Sequence, residues 1–160
     1  DLNQIAHIHM ARHPDWALYH QNKRPQTYHE AQVSFPYSVA VALTDGQALF
    51  AQYNNSRLPE AMLLHLSDLV EITPDASLPR GVSCKMTMTM KDGAKYVSQV
   101  DYPKGSIQNS MSDEELLAKF NSLVIPVLGE KRASEIAQLV GSIENCSNVT
   151  ELMKLTAKTS

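Results

Sequence analysis

Tyr37 and Arg24 are the two side chains whose positions in the sequence best favour chemistry. Tyr37 lies in the stretch SFPYSVAVALTDG, residues 34–46, which has the apolar spacing of a helix with Ser34 as its N-cap. The first turn of a helix offers free backbone N–H groups and the positive end of the helix dipole, and both favour an anion. Arg24 lies on the preceding loop, so a carboxylate substrate could dock there. Alternatively, Tyr37 is a half-buried packing residue whose hydroxyl contacts water or a backbone carbonyl.

The histidines invite a metal interpretation, because three of the six fall within residues 7–13. Residues 2–10 alternate as in a β-strand, with Ala6, Ile8 and Met10 on one side and Ile5, His7 and His9 on the other. His13 lies beyond the strand, next to a proline, so no third ligand has a fixed geometry. A polar strand face explains the histidines better, and we expect no metal.

The clearest strand signal is the hairpin within residues 82–102. Its first strand carries the methionines Met86, Met88 and Met90 on one face, and the turn contains Asp92-Gly93. A two-residue turn would place Lys95, Val97 and Gln99 opposite the methionines, whereas a three-residue loop with a left-handed Gly93 would place Tyr96, Ser98 and Val100 there. We favour the second register, because it puts an aromatic residue and a valine on the apolar face.

The remaining elements follow from capping signals and periodicity. Asp45-Gly46 ends the helix that begins at Ser34, and Ser112 with Glu115 forms a capping box at the start of a later helix. The other elements are a loop at 13–27, a helix at 59–69, a strand at 70–73, a helix carrying Ala133, Ile136 and Val140, and a shorter one capped by Asn148. This order predicts an α+β fold, with helices on one face of a small, mainly antiparallel sheet of about four strands, followed by C-terminal helices. We divide the chain into an α+β domain at 1–111 and C-terminal helices at 112–160.

Composition narrows the classes of function. The formal net charge is −3 without a Lys/Arg stripe, which argues against a nucleic-acid partner, and no apolar run is long enough to cross a membrane. Cys84 and Cys146 match no metal spacing, so two free thiols in a reducing compartment, the cytoplasm, are expected. The chain begins with Asp1 rather than Met, which suggests an origin in a longer protein.

Two segments resemble a known enzyme family. EAQVSFPYSVAVALTDG, residues 30–46, resembles the segment that commonly reads EAQFSLPYAVAAALLDG in the MmgE/PrpD family. KGSIQNSMSDEELLAKFNSL, residues 104–123, is similar to that family's segment ending in S-D-E-E-L-x-x-K-F, and a DG hairpin lies between the two. The family includes 2-methylcitrate dehydratase, cis-aconitate decarboxylase and iminodisuccinate epimerase.

The resemblance implies a fold, a site and a chemistry. Members are similar in having a large helical domain, absent here, and a smaller α+β lid, with a site for a small polycarboxylate between them and usually a homodimeric assembly. The active-site tyrosine of the first segment falls on Tyr37, and Arg24 is the candidate substrate-binding residue. The implied reaction is cofactor-independent proton abstraction next to a carboxylate, followed by loss of water, loss of CO2 or reprotonation, and it requires no metal. The competing hypothesis is a stand-alone, non-catalytic module of the same fold for ligand binding or dimerisation.

Overall fold

The structure, a computed structural model, describes residues 1–157. The chain divides into two compact units, one of residues 1–103 and one that begins at Lys104, so the division falls before the expected boundary at 111 and 112. The strands are β1 (Ile5–Arg12), β2 (Val70–Pro74), β3 (Cys84–Met90) and β4 (Lys95–Val100). The helices are α1 (Pro14–Ala17), α2 (Tyr28–Gln32), α3 (Phe35–Asp45), α4 (Ala61–Asp68), α5 (Asp113–Leu128), α6 (Glu130–Gly141) and α7 (Thr150–Thr156), with four short 3-10 helices besides.

The first unit is built on a four-stranded sheet of order β2-β1-β3-β4. β1 runs parallel to β2 and antiparallel to β3, and β3 forms an antiparallel hairpin with β4. Two of the three pairings are therefore antiparallel, and the α+β prediction is confirmed. The core lies between one face of this sheet and helices α3 and α4, with the methionines of β3 packed against it.

The predicted alternation of β1 is wrong at its start. Ile5 is buried and Ala6 is exposed, the reverse of what a regular strand predicts. The reason is a β-bulge: Ile5 pairs with Met90 and His7 pairs with Thr89, so Ala6 is an extra residue without a partner on β3. One extra residue inverts the side-chain alternation, and this returns Ile5 to the core face.

The hairpin has the favoured register. Met86 pairs with Ser98 and Met88 pairs with Tyr96, and Gly93 adopts a left-handed φ of 88°. The three-residue loop requires a residue with a positive φ at this position. A glycine adopts a positive φ without steric cost, which is why the loop forms here.

Helix α3 begins and ends at the predicted residues. The Ser34 hydroxyl accepts a hydrogen bond from the Tyr37 N–H at 3.1 Å, and Gly46 ends the helix with a φ of 73°. α4 supplies Leu63 and Leu66 to the core, and both are fully buried. The two helices pack against each other as well as on the sheet.

The second unit consists of helices. Ser112 and Glu115 form the predicted capping box of α5, and α6 buries Ala133 and Ile136. α6 packs on both α5 and α7, and the Arg132 guanidinium donates to the carbonyl of Ala157 at 2.9 Å. Within residues 1–157, no helix is both long enough and apolar enough to cross a membrane. Both cysteines are free thiols, as expected.

Candidate functional site

Tyr37 points into the core of the first unit. Its side chain is 0% exposed, and its hydroxyl has no hydrogen-bond partner among the residues that the structure describes. The neighbouring ring is that of Tyr53, with the centroids 6.5 Å apart, and the Tyr53 hydroxyl donates to Ser38 Oγ at 2.8 Å. Within residues 1–157, the partly buried phenol of Tyr53 is thus hydrogen-bonded, whereas the fully buried phenol of Tyr37 is not. A buried hydroxyl without a partner is unfavourable, so its position calls for a functional explanation.

A charged cluster lies beside the phenol of Tyr37. The Arg57 guanidinium binds both oxygens of Asp45, at 2.6 and 3.1 Å, and its Nε donates to Glu60 at 2.9 Å. The hydrogen bonds that Arg57 donates to Glu60 and then to Asp45 raise the pKa of Arg57, so it remains a cation. The cluster fixes the segment that contains Tyr53 onto the C-terminal end of α3.

The environment of Tyr37 favours a neutral phenol. Burial raises the pKa of Tyr37, and the positive charge of Arg57 opposes this only in part. The hydroxyl therefore keeps its proton at neutral pH. In chemical terms, Tyr37 is a potential proton donor or hydrogen-bond donor, not a base.

The expectation of free N–H groups in the first turn of α3 is wrong. The Phe35 N–H donates to the His20 carbonyl at 2.9 Å, the Tyr37 N–H donates to Ser34, and the Ser38 N–H donates to the Ser34 carbonyl at 3.0 Å. Pro36 has no N–H. His20 has a left-handed φ of 61°, so the loop turns sharply where its carbonyl meets the helix. An anion therefore finds no unoccupied backbone donor in this first turn.

Arg24 lies in a different environment from Tyr37. Its Nε donates to Asp68 at 3.3 Å and its Nη2 binds the other oxygen of the same carboxylate, at the end of α4. Arg24 lines a cleft of about 370 Å³, together with Gln26, Asn55 and Leu58. Tyr37 does not line this cleft, so the first unit does not bring the two predicted residues into one cavity.

Arg12 is a buried cation that the sequence analysis did not single out. It is 2% exposed, its Cζ lies 3.9 Å from the centroid of the Phe35 ring, and Nη1 donates to the Trp16 carbonyl at 3.4 Å. Burial lowers the pKa of Arg12. The alternation of β1 could have located it, because Ile8, Met10 and Arg12 share one face.

The histidines lie on the polar face of the sheet. His7 Nε2 lies 3.0 Å from a Glu71 oxygen and His9 Nε2 lies 2.7 Å from Thr73 Oγ1, so both contact β2. Among residues 1–157, no group of three potential ligands has the geometry of a metal site. This placement agrees with the polar-face interpretation.

The fold and the buried tyrosine define an α+β domain whose core encloses one unsatisfied phenol. A family profile described as the MmgE/PrpD C-terminal domain matches residues 1–145, which is most of the chain. The chain belongs to the MmgE/PrpD family. The resemblance stated from the two sequence segments is thereby confirmed.

The chain is also similar to proteins named cis-aconitate decarboxylase. It is 28% identical to a cis-aconitate decarboxylase of Aspergillus terreus (strain NIH 2624 / FGSC A1156), in an alignment that covers 97% of this chain and 33% of that protein. It is 27% identical to the cis-aconitate decarboxylase of Homo sapiens, over 81% of this chain and 28% of that protein. The chain spans about a third of the length of these relatives.

Proposed function

We propose that this chain is the C-terminal lid-type domain of a cofactor-independent lyase or isomerase that acts on a small polycarboxylate. The family match and the decarboxylase relatives support this class of reaction. Among the family's reactions, we favour decarboxylation of an unsaturated tricarboxylate such as cis-aconitate. In that reaction a C–C bond to a carboxylate breaks, CO2 leaves, and a proton is delivered to the carbon that keeps the electron pair.

The observation that carries the residue assignment is the unpaired hydroxyl of Tyr37. A neutral phenol with no protein partner among the described residues is able to donate its proton or a hydrogen bond to a substrate. Its burial requires that the segment 50–60, which carries Tyr53 and Arg57, moves before a substrate can reach the hydroxyl. The base and the other charged groups come from the rest of the protein.

Arg24 is proposed to bind a carboxylate of the substrate, at a position separate from Tyr37. Its guanidinium already holds a carboxylate, that of Asp68, in a two-point contact, and both side chains are substantially exposed. A substrate carboxylate has the same geometry and can replace Asp68 on Arg24. Substrate binding would then compete with an internal ion pair.

The helices of the second unit are proposed to pack against the missing helical domain. A groove of about 900 Å³ runs between α5 and α6, lined by apolar side chains that include Leu116, Phe120 and Val140. An exposed apolar groove of this kind is a candidate contact site for another domain. A helical domain in the remaining two thirds of the protein would cover the groove and complete the site.

The decisive experiment compares two tyrosine variants in the full-length enzyme. Tyr37→Phe removes the unpaired hydroxyl, and we expect turnover of cis-aconitate to fall by about 10²-fold or more without a fall in the melting temperature. Tyr53→Phe removes a neighbouring hydroxyl that bonds to Ser38, and it should change the rate less than about threefold. Turnover at the wild-type rate by Tyr37→Phe would refute the assignment of Tyr37.

The alternative function is a non-catalytic module that binds a small ligand or dimerises. The observation in its favour is that Tyr37 is enclosed and Arg24 is paired, so the described residues present no open catalytic site. The coding sequence upstream of Asp1 distinguishes the two functions. A helical domain with a lysine and histidine segment there supports the enzyme, whereas a start codon at that point supports the module.

A further inference from the structure

The connector between α3 and α4, residues 47–60, is fastened to the rest of the first unit by side chains. Within the part of the chain that the structure describes, its backbone–backbone hydrogen bonds are internal, apart from the one at its last residue, where α4 begins. The Tyr53 hydroxyl donates to Ser38 Oγ at 2.8 Å, and the Tyr28 N–H donates to Asn55 Oδ1 at 3.0 Å. A segment with so few fixed contacts opens at a lower free energy than the core.

Arg57 makes the strongest of the contacts that fasten the connector. Its guanidinium binds both oxygens of Asp45, the last residue of α3. Its other hydrogen bonds go to both oxygens of Glu60 and to the Gln52 carbonyl, inside the connector. Charge-assisted two-point contacts are about twice as strong as neutral hydrogen bonds. Arg57 therefore contributes most to holding the connector on α3.

The connector separates the two predicted site residues, Arg24 and Tyr37. One of its sides forms a wall of the Arg24 cleft, and the connector residues that line this cleft are Asn55, Leu58 and Pro59. Its other side covers Tyr37, because the Tyr53 ring is the neighbour of the Tyr37 ring, and the charges of Arg57 and Glu60 act on the Tyr37 phenol. A single stretch of chain thus lies between the cleft and the buried hydroxyl.

We propose that the connector is a movable wall, and that its outward movement joins the Arg24 cleft and the Tyr37 hydroxyl into one site for a small polycarboxylate. Arg57 is the positioning residue that holds this wall closed. The identity of the ligand rests on the proposed function, whereas the movement of the wall does not. The cleft alone, at about 370 Å³, has the size of a small-molecule site. With the wall displaced, a ligand held by one carboxylate on Arg24 can extend to the Tyr37 phenol.

Chemical labelling of Tyr37 measures how often the wall opens. N-Acetylimidazole acetylates accessible phenols, and peptide mass spectrometry assigns a rate to each tyrosine. When the wall closes faster than the reagent reacts, this rate is proportional to the open fraction. Arg57→Gln removes the charged contact with Asp45, so we expect Tyr37 to be acetylated at least about tenfold faster, with the exposed Tyr96 unchanged. An unchanged rate at Tyr37 would overturn the role of Arg57.

Arg80→Gln is the matched control. It also breaks an arginine–carboxylate contact, with Asp15, but outside the connector, and it should leave Tyr37 acetylation within about twofold of the wild type. The lost charge of Arg57 cannot itself explain a faster reaction. Burial raises the pKa of Tyr37 and Arg57 opposes this rise, so removing Arg57 makes the phenol less reactive. An equal acceleration in both arginine variants would refute a specific effect on the wall.

Tyr53→Phe keeps the test decisive even if Arg57→Gln does not fold. It removes the neutral bond to Ser38, and Tyr37 should be acetylated about two- to tenfold faster. An unchanged rate would contradict the wall. Urea below the unfolding transition distinguishes local opening from global unfolding, because local opening exposes little surface and depends only weakly on urea. A Tyr37 rate that follows the global unfolding equilibrium would also overturn the proposal.

A bound polycarboxylate tests whether Arg24 and Tyr37 share one site. Tricarballylate, the saturated analogue of cis-aconitate, is added to the full-length enzyme carrying Arg57→Gln, at about ten times its dissociation constant. We expect Tyr37 acetylation to slow about tenfold, and Arg24→Gln should abolish this protection at the same concentration. No protection, or protection that survives Arg24→Gln, would refute the shared site. The rates without ligand involve no reaction, so a failure of the proposed function leaves the test of the wall unaffected.

Discussion

The guanidinium of Arg12 stacks on the ring of Phe35, with Cζ 3.9 Å from the ring centroid. The arginine ends β1 and the phenylalanine begins α3, so the contact joins the sheet to the helix that carries Tyr37. Arg12 has no carboxylate within ion-pair distance among residues 1–157, and the hydrogen bond that it donates to the Trp16 carbonyl is long, at 3.4 Å. The side chain therefore acts mainly through its packing and its contact with the ring.

Two substitutions of Arg12 distinguish the contribution of its packing to stability from the contribution of its charge. Arg12→Met keeps most of the side-chain volume. It loses the cation–π contact with Phe35, but it also removes the cost of burying a charge, and the two effects offset each other. We therefore expect a change within about 1 kcal/mol in the free energy of unfolding. Arg12→Ala leaves a cavity beside Phe35 and should destabilise by about 2–4 kcal/mol. Urea denaturation of both variants checks this. If the methionine variant loses as much as the alanine variant, the charge and not the packing is essential.

The phenols of Tyr37 and Tyr53 should differ in their contribution to stability. Tyr37→Phe removes a hydroxyl without a protein partner, so the free energy of unfolding should stay equal or rise by up to about 1 kcal/mol. Tyr53→Phe breaks the bond to Ser38 and should lower it by about 0.5–1.5 kcal/mol. Thermal and urea unfolding of the two variants measure the difference. Equal destabilisation would mean that Tyr37 has a hydrogen bond in solution.

Deleting Ala6 should be tolerated. Without this residue, Ile5 directly precedes His7, pairs with Met90 in a regular ladder and keeps its side chain in the core. We expect a loss below about 1 kcal/mol in the free energy of unfolding. Deleting His9 is the control, because it turns Ile8 and the residues before it to the opposite face, and it should prevent folding. Loss of the folded state on deletion of Ala6 would show that the bulge itself is required.

The start of α5 should be sensitive to acid. A hydrogen bond from Lys104, followed by one from the Ser112 backbone, lowers the pKa of Glu115. A carboxylate whose pKa is lower in the folded state stabilises that state at pH values above its unfolded pKa of about 4.3. This contribution is lost as the pH falls through the lower, folded value. Melting temperatures between pH 7 and pH 3 should fall more steeply for the wild type than for Glu115→Gln, and parallel curves would contradict the prediction.

Local signals in the sequence predicted much of the fold. Ser34 and Gly46 bound α3 as expected, Ser112 caps α5, and Gly93 fixes the hairpin register. Each of these features depends on residues within a few positions of one another, so the residue types suffice to identify them. The parallel pairing of β1 with β2 and the bulge at Ala6 were not predicted, because both depend on strands that are distant in sequence.

The candidate site shows the same difference between features that local sequence determines and features that depend on distant contacts. The sequence by itself identified Tyr37 at the start of α3, through its capping pattern and the family segment around it. Only the tertiary structure determined that this phenol is enclosed beside Arg57, and that Arg24 is bound to Asp68, 44 positions away. Burial and ion pairing arise from contacts between distant segments, and these contacts set the protonation and accessibility of each side chain. The sequence thus identified the chemical group, and the packing of the chain determined its environment.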